Sequence, residues 1–253
     1  MMSSVSGGLR RAIEKTGTVL GGLGAFLVAG VIVAAIATWV FGEFAETVMA
    51  GQTQSFDDAV LRWMAAHHTT FLDTAMLEIT SLGTGVAVLM IVGVAALFLS
   101  LTHHRYSAAL LLAATAGGNL LNLVLKVFFG RPRPHIFAWG THALSSSFPS
   151  GHAMSAAIVY STVAYLAARL QKRIWSRVLT LLVAAIVIVA TSASRVYLGV
   201  HYPSDVVAGV IIGIGWAAFC MATLEGVQRF LRRNADPSQT ENGRSPEMTT
   251  SNP

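Results

Sequence analysis

Apolar and polar positions along this chain fall in long blocks, not with the short period of a soluble helix or strand. Six apolar runs stand near residues 18–41, 79–101, 107–128, 151–170, 177–194 and 205–225. Each is long enough for a helix to cross the roughly 30 Å of bilayer hydrocarbon. A helix also satisfies its own backbone polar groups there. The run at 151–170 is the least apolar and is rich in Ala and Ser, which suits a helix packed against other helices and not against lipid. Residues 55–68 mix the two kinds of position and predict a short amphipathic helix lying along the interface. The pattern predicts an all-α, polytopic membrane protein with six transmembrane helices in a bundle. A cytoplasmic segment, 1–17, leads into a membrane domain at 18–228. From Asn234 to Pro253 the chain is dominated by Ser, Thr, Asn, Pro and Glu, so 229–253 reads as a disordered cytoplasmic tail.

Composition agrees. The 253 residues are 54% hydrophobic and only 11% charged, against about 25% charged in soluble domains. The net charge of +5 is not gathered into a basic stripe with interleaved aromatics, so nucleic acid is not an expected partner. The single cysteine, Cys220, lies in an apolar run and reads as an inert buried thiol. The first apolar run is long enough to span, so it does not read as a secretory signal.

Charge sets the orientation. Six spans put both ends of the chain on one side. Arg10, Arg11, Lys15, Arg105, Arg169, Lys172, Arg173, Arg177, Arg229, Arg232, Arg233 and Arg244 fall on that side. They are twelve of the seventeen basic residues, which makes it the cytoplasmic face. Five remain on or near the other face: Arg62, Lys126, Arg131, Arg133 and Arg195. Arg62 fits the amphipathic segment, and Arg131 carries no assigned role. Lys126, Arg133 and Arg195 lie in or beside lipid, where cations are costly and usually face a polar interior.

The same topology brings Lys126, Arg133, Ser150, His152, Arg195, His201 and Asp205 to one membrane depth. Three cations, two histidines and a carboxylate describe a pocket for a multiply charged anion. The start of the fourth span at Ser150–Gly151–His152 adds unpaired backbone N–H groups. Gly151 leaves them open to an anion, and Ser150 is either a helix cap or a hydroxyl donor to the ligand. Pro203 suits a first helical position, so Asp205 falls in the first turn of the sixth span, four residues after His201. A folded-back start puts that carboxylate on the imidazole, fixing its tautomer and raising its basicity. One histidine can then act as nucleophile and the other as proton donor. Proximity of the carboxylate favours His201 for attack, though chemistry alone fixes the two roles only loosely.

These residues carry a family resemblance. The chain resembles the type 2 phosphatidic acid phosphatases, the lipid phosphate phosphatase superfamily that also includes vanadium haloperoxidases. Lys126, six residues, then Arg133-Pro134 matches the first part of its signature. Pro149-Ser150-Gly151-His152 matches the second. Ser194-Arg195, five residues, His201, three residues, Asp205 matches the third. The signature spans 126–205, and the six-span layout extends the likeness over about 18–225. The resemblance implies that Lys126, Arg133, Ser150, Gly151 and Arg195 bind phosphate. It implies that His201 is the nucleophile, Asp205 its activator and His152 the general acid. It further implies a core formed by helices three to six, an active site on the periplasmic or extracellular side of a bacterial inner membrane, and no metal or other cofactor. The expected substrate is a lipid-linked phosphate or diphosphate of the undecaprenyl diphosphate, phosphatidylglycerophosphate or phosphatidic acid type. A vanadate-dependent haloperoxidase-like enzyme and a non-catalytic anion-binding or transport protein stay open as other classes.

Other polar residues read more plainly. The pairs His67–His68 and His103–His104 lie in loops without enough neighbours for a metal site. His135 and His142 face water or touch a head group. Asn119 and Asn122, three apart in the third span, suit helix–helix hydrogen bonds. Gly17, Gly21, Gly22 and Gly24 open the first span, and Gly117 and Gly118 lie in the third. The spacing of Gly209 and Gly213 predicts close packing, within one bundle or between two copies of a homodimer.

Overall fold

The computed structural model describes residues 28, 30–138, 141 and 145–234, with 229–234 described by their backbone alone. The N-terminal segment with Arg10, Arg11 and Lys15 lies outside the described residues. So do the early glycines of the first span, His142, and residues 235–253 with Arg244; residues 229–234, expected to open the disordered tail, continue a helix instead.

Every regular element among the described residues is a helix. The first, α1, covers Gly30–Met49. It is followed by α2 (Gln54–Ala66), α3 (Thr70–Ser81), α4 (Gly85–Leu101), α5 (Arg105–Phe129), α6 (Gly151–Leu170), α7 (Ile174–Tyr197) and α8 (Pro203–Asn234). Five of them, α1, α5, α6, α7 and α8, are long and apolar enough to cross a membrane, and α3 with α4 passes the same test as a pair. This is a multi-pass membrane protein. The amphipathic element expected at 55–68 is α2.

The second apolar run departs from expectation. The stretch at 79–101 is not one straight helix, because it contains a bend of 47° between α3 and α4. The Thr84 hydroxyl caps α4 by accepting from the Ala87 N–H at 3.4 Å. Gly83 sits so close to α6 and α7 that a Cβ there would lie 2.6 Å from Thr191 Cγ2 and 3.1 Å from His152 Cδ2. The turn is therefore pressed between two helices, and only glycine fits it. Helix α3 itself carries Thr, Asp and Glu among its apolar residues, so hydropathy did not mark it out as a separate element.

Helix α6 is the centre of the bundle and packs on α5, α7 and α8. Half of its apolar stretch is buried (50%), against 17% for α7. The Ala-rich sequence of α6 is thus spent on close contact with protein, while α7 presents Trp175, Leu179, Ile186 and Val189 outward. Gly209 and Gly213 of α8 face α6. A Cβ at the first would meet Ser150 O at 2.7 Å, and one at the second Ala157 Cβ at 2.8 Å. The glycine spacing serves packing inside one bundle. Asn119 and Asn122 likewise bridge α5 to α6, through Ser155 Oγ at 3.3 Å and Met154 Sδ at 3.3 Å.

Candidate active site

The end of the bundle where α5 and α7 stop and α6 and α8 start holds every residue of the three sequence motifs. Lys126 is in the last turn of α5 and Arg195 in the last turn of α7. Ser150 is the N-cap of α6, and Asp205 lies in the first turn of α8. Arg133 comes from the α5–α6 connection and His201 from the short α7–α8 connection. A backbone bond from Ser150 N–H to Asp205 O, at 3.0 Å, ties the starts of α6 and α8 together. Lys126, Arg133, Arg195 and His201 all act electrostatically on His152, so the five form one cluster.

Asp205 folds back as the spacing predicts. Its Oδ2 accepts from the Tyr202 N–H at 2.9 Å and lies 3.5 Å from His201 Nδ1. A serine absent from the motifs shares this contact. Ser147 Oγ donates a short hydrogen bond to Asp205 Oδ2 and sits 3.4 Å from His201 Nδ1. On the other side of the ring, Arg133 Nη1 is 3.2 Å from His201 Nε2. A guanidinium only donates, so Nε2 is the accepting nitrogen and the ring proton sits on Nδ1, facing the carboxylate. The lone pair on Nε2 therefore points away from Asp205.

The expected rise in basicity is outweighed. His201 is 2% exposed. Burial pushes its imidazole down to about 4; Asp205 pulls the other way, and Arg133 and Lys126 add to the lowering. The ring is neutral at physiological pH, the form a nucleophile needs. Burial also lowers Arg133 from the ordinary guanidinium range, opposed by Asp205.

Lys126 and Arg133 are held by the carbonyls of Ser145, Ser146 and Val200. Lys126 Nζ donates to Ser146 O at 2.5 Å, Arg133 Nε to Ser145 O at 2.8 Å, and Arg133 Nη1 to Val200 O at 2.6 Å. Arg195 Nη1 donates to Thr80 Oγ1, just before the α3–α4 bend, at 2.8 Å. The Ser150 hydroxyl does not cap α6. It is buried without a partner among the described residues, as is Arg195 Nε. This removes the cap reading for Ser150 and leaves a free hydroxyl. The missing side chain of Gly151 is explained in part by α5, since a Cβ there would lie 3.0 Å from Asn122 Oδ1 and 3.6 Å from Lys126 Cε. Behind Gly151, His152 and Ala153 the helix has no carbonyl for their N–H groups to reach, the usual state of a helix start and a site for anions.

Three contributions were not legible in the motifs: Ser147, Thr80, and Arg131. The last is 8% exposed and bonded to Asp57 and Asp205. The run of three serines at 145–147, just before the second motif, was the one sequence signal available, and it bears on Ser147 alone. His135 is exposed. His67 bonds Trp63 O at 2.7 Å and His68 bonds Asp73 Oδ1 at 2.9 Å, which fits their plain reading. Among the described residues no group of three or more His, Cys, Asp or Glu could hold a metal ion.

Comparison with known proteins decides the family. Residues 107–229 match the model of the PAP2 superfamily. Phosphatidylglycerophosphatase B of Bacillus subtilis (strain 168) is 32% identical over 190 residues, covering 75% of this chain and 93% of that protein. The chain belongs to the PAP2 superfamily. Among solved structures, a transmembrane PAP2 type phosphatidylglycerolphosphate phosphatase from Bacillus subtilis superposes with a TM-score of 0.74 at 30% identity. That match covers 78% of this chain and 98% of that one. An undecaprenyl-diphosphatase of Sulfolobus acidocaldarius is 34% identical over 111 residues, 42% of this chain and 49% of that protein. This PAP2 protein is thus an enzyme, a phosphoric monoester hydrolase by family, and its anion-shaped site lies within the matched segment or beside it.

Proposed function

We infer that this protein hydrolyses a lipid-linked phosphate or diphosphate at the outer face of the membrane, through a phosphohistidine intermediate and without a metal. One observation carries the reading. A neutral, buried His201, its Nε2 lone pair turned away from Asp205, sits among three cations, an unpartnered hydroxyl and a helix start. That is a phosphate cradle built around a nucleophile. The PAP2 relatives are named for phosphatidylglycerophosphate and undecaprenyl diphosphate, which supports a lipid phosphate of that kind here.

In this reading the phosphate takes over the donors that Lys126 and Arg133 now direct at carbonyls and at His201 Nε2. It also accepts from Ser150 Oγ, Arg195 and the N–H groups at Gly151–Ala153. His201 Nε2 attacks phosphorus, and the bond to the lipid oxygen breaks as His152 gives that oxygen its proton. Asp205 balances the positive charge that His201 acquires, with the Nδ1 proton directed at it. Water, its proton taken by His152, then displaces phosphate from His201 and restores both histidines. Charge on the transferring group is met by the cations and the α6 start. The bent pair α3–α4 counts as one span, giving six, with the chain ends cytoplasmic and the membrane domain at 18–228. Active-site access from the outer leaflet lets the lipid tail stay in the bilayer.

Phosphate release from phosphatidylglycerophosphate, undecaprenyl diphosphate and phosphatidic acid by the purified full-length protein in detergent tests this. Release from at least one, undiminished by EDTA, is the expected result. No release from any of them by folded protein would overturn the lipid reading. Loss with EDTA that one divalent ion restores would overturn the metal-free mechanism.

A further inference from the structure

Arg131 lies two residues before Arg133, yet it does not turn toward the phosphate cradle. It faces two buried carboxylates. Its Nη1 donates to Asp205 Oδ1 at 2.6 Å and to Ser204 Oγ at 2.8 Å. Its Nη2 donates to Asp57 Oδ2 at 3.0 Å and to Gln54 Oε1 at 3.3 Å. The guanidinium also stacks over the Tyr202 ring, 4.1 Å from its centroid. Asp57, from α2, is wholly buried and fully bonded. Its Oδ1 accepts from Ser204 N–H at 3.0 Å, and its Oδ2 from Ser204 Oγ at 2.6 Å and Thr53 Oγ1 at 3.0 Å.

Asp205 therefore uses its two oxygens for different ends. Oδ1 is clamped by Arg131. Oδ2 faces Ser147, the Tyr202 N–H and His201. With Oδ1 fixed, the carboxylate cannot rotate away from the imidazole. Two anions share one cation, so a net negative charge remains, and how much of it His201 feels depends on where Arg131 sits. We propose that Arg131 and Asp57 are a positioning pair for the reaction: Arg131 clamps Asp205 against His201, and Asp57 sets the place of Arg131. Helix α2, which lies outside the motifs, then tunes the reactivity of the histidine without touching substrate. The inference rests on the reading of His201 as nucleophile.

The test uses Arg131→Gln, Arg131→Lys and Asp57→Asn in the full-length protein in detergent, with an aryl phosphate as substrate so that attack, not leaving-group protonation, is observed. Rates are referred to the folded fraction by thermal unfolding. Charged or titratable groups around His201 are Asp205 from α8, Lys126 from α5, Arg133 from the α5–α6 connection and, in the same cluster, His152 from α6 and Arg195 from α7. The acid limb that His201 places on kcat/KM should lie well below the ordinary histidine range, because the imidazole protonates only near 4. Arg131→Gln removes a cation, so the imidazolium is better tolerated and the acid limb moves to higher pH. Its kcat falls roughly 10–100-fold while KM holds within about twofold. Asp57→Asn removes an anion, so the limb moves to lower pH, with a smaller loss in kcat. Arg131→Lys restores the limb and part of the rate. A purely structural role moves neither limb. Limbs that stay in place or move together, or a kcat per folded Arg131→Gln molecule equal to wild type, would sink the proposal. If Arg131→Gln does not fold, Asp57→Asn decides: a limb below that of wild type with a reduced kcat supports the proposal, and an unmoved limb sinks it. Wild-type protein that hydrolyses no phosphate at all would fail the functional reading instead.

Discussion

The two ends of the bundle use the same kinds of residue to opposite effect. At the end that holds the site, Asp57 and Asp205 are 0% exposed, His201 2% and Arg195 3%. At the other end, Arg169 pairs with Glu225 at 3.0 Å, with side chains 32% and 19% exposed, and Tyr165 and Gln228 join them. Charges partly in water are less expensive to hold and contribute little. Charges wholly buried are costly to hold and are unlike a device for stability alone. The difference teaches where to look for chemistry in a membrane protein: not where ionisable residues are numerous, but where they are buried and some of their donors are left over. Ser150 Oγ and Arg195 Nε are such leftovers.

The largest effect should come from His201→Ala. With no second group to attack phosphorus, turnover should fall by more than about 10⁴-fold. No covalent phosphoryl-enzyme should form. Rapid-quench trapping with radiolabelled substrate, followed by alkaline peptide mapping, checks both. Label on the peptide with His152, and none on that with His201, would exchange the two roles within the site end.

A smaller and more selective loss is expected from His152→Ala. The variant keeps its nucleophile and cations, but a lipid alkoxide must leave without a proton, at a cost of roughly 10²–10⁴ in rate. An aryl phosphate, whose leaving group needs no proton, should lose far less. Comparing the two substrates on one preparation separates this from a general collapse of the site. Equal losses on both would remove His152 from the role of acid.

How much of this was legible follows from where each signal resides in the chain. The spans α5 to α8 announce themselves by unbroken hydropathy, and Asp205 by its distance of four residues from His201. Those are local signals. Arg131 and Arg133 lie two apart in sequence with identical side chains, yet one binds carboxylates on α2 and α8 and the other the Val200 carbonyl and His201 Nε2. The spacing from Lys126 singles out Arg133, but nothing local says where Arg131 turns. Asp57 meets Ser204 from 147 residues away, and Thr80 meets Arg195 from 115 away. Contacts of that range are made by the packing of α2 and the α3–α4 bend, which hydropathy does not encode. Ser150 shows the reverse case: its spacing allowed a cap or a ligand donor, and only packing separates them.

The smallest effect sharpens the comparison from the far end. Arg169 has as much charge as Arg195 and makes an ion pair, a hydrogen bond to Gln228 Oε1 at 3.1 Å and a contact over the Tyr165 ring at 5.7 Å. It is nonetheless partly solvated, so its loss gives Glu225 and Tyr165 back to water instead of stranding them. Arg169→Ala should therefore cost about 0–1 kcal/mol in stability. Because α6 carries Arg169 in its last turn and Ser150–His152 at its start, the helix separates it from the site by nearly its whole length. Phosphate release should stay within about twofold of wild type, since surface charge changes away from a site are usually small in effect. Thermal unfolding in detergent and phosphate release on one preparation measure the two quantities together. A loss of activity comparable to that of His152→Ala, in protein that still unfolds at the wild-type temperature, would mean that the two ends are coupled through α6 and that burial alone does not mark the functional end.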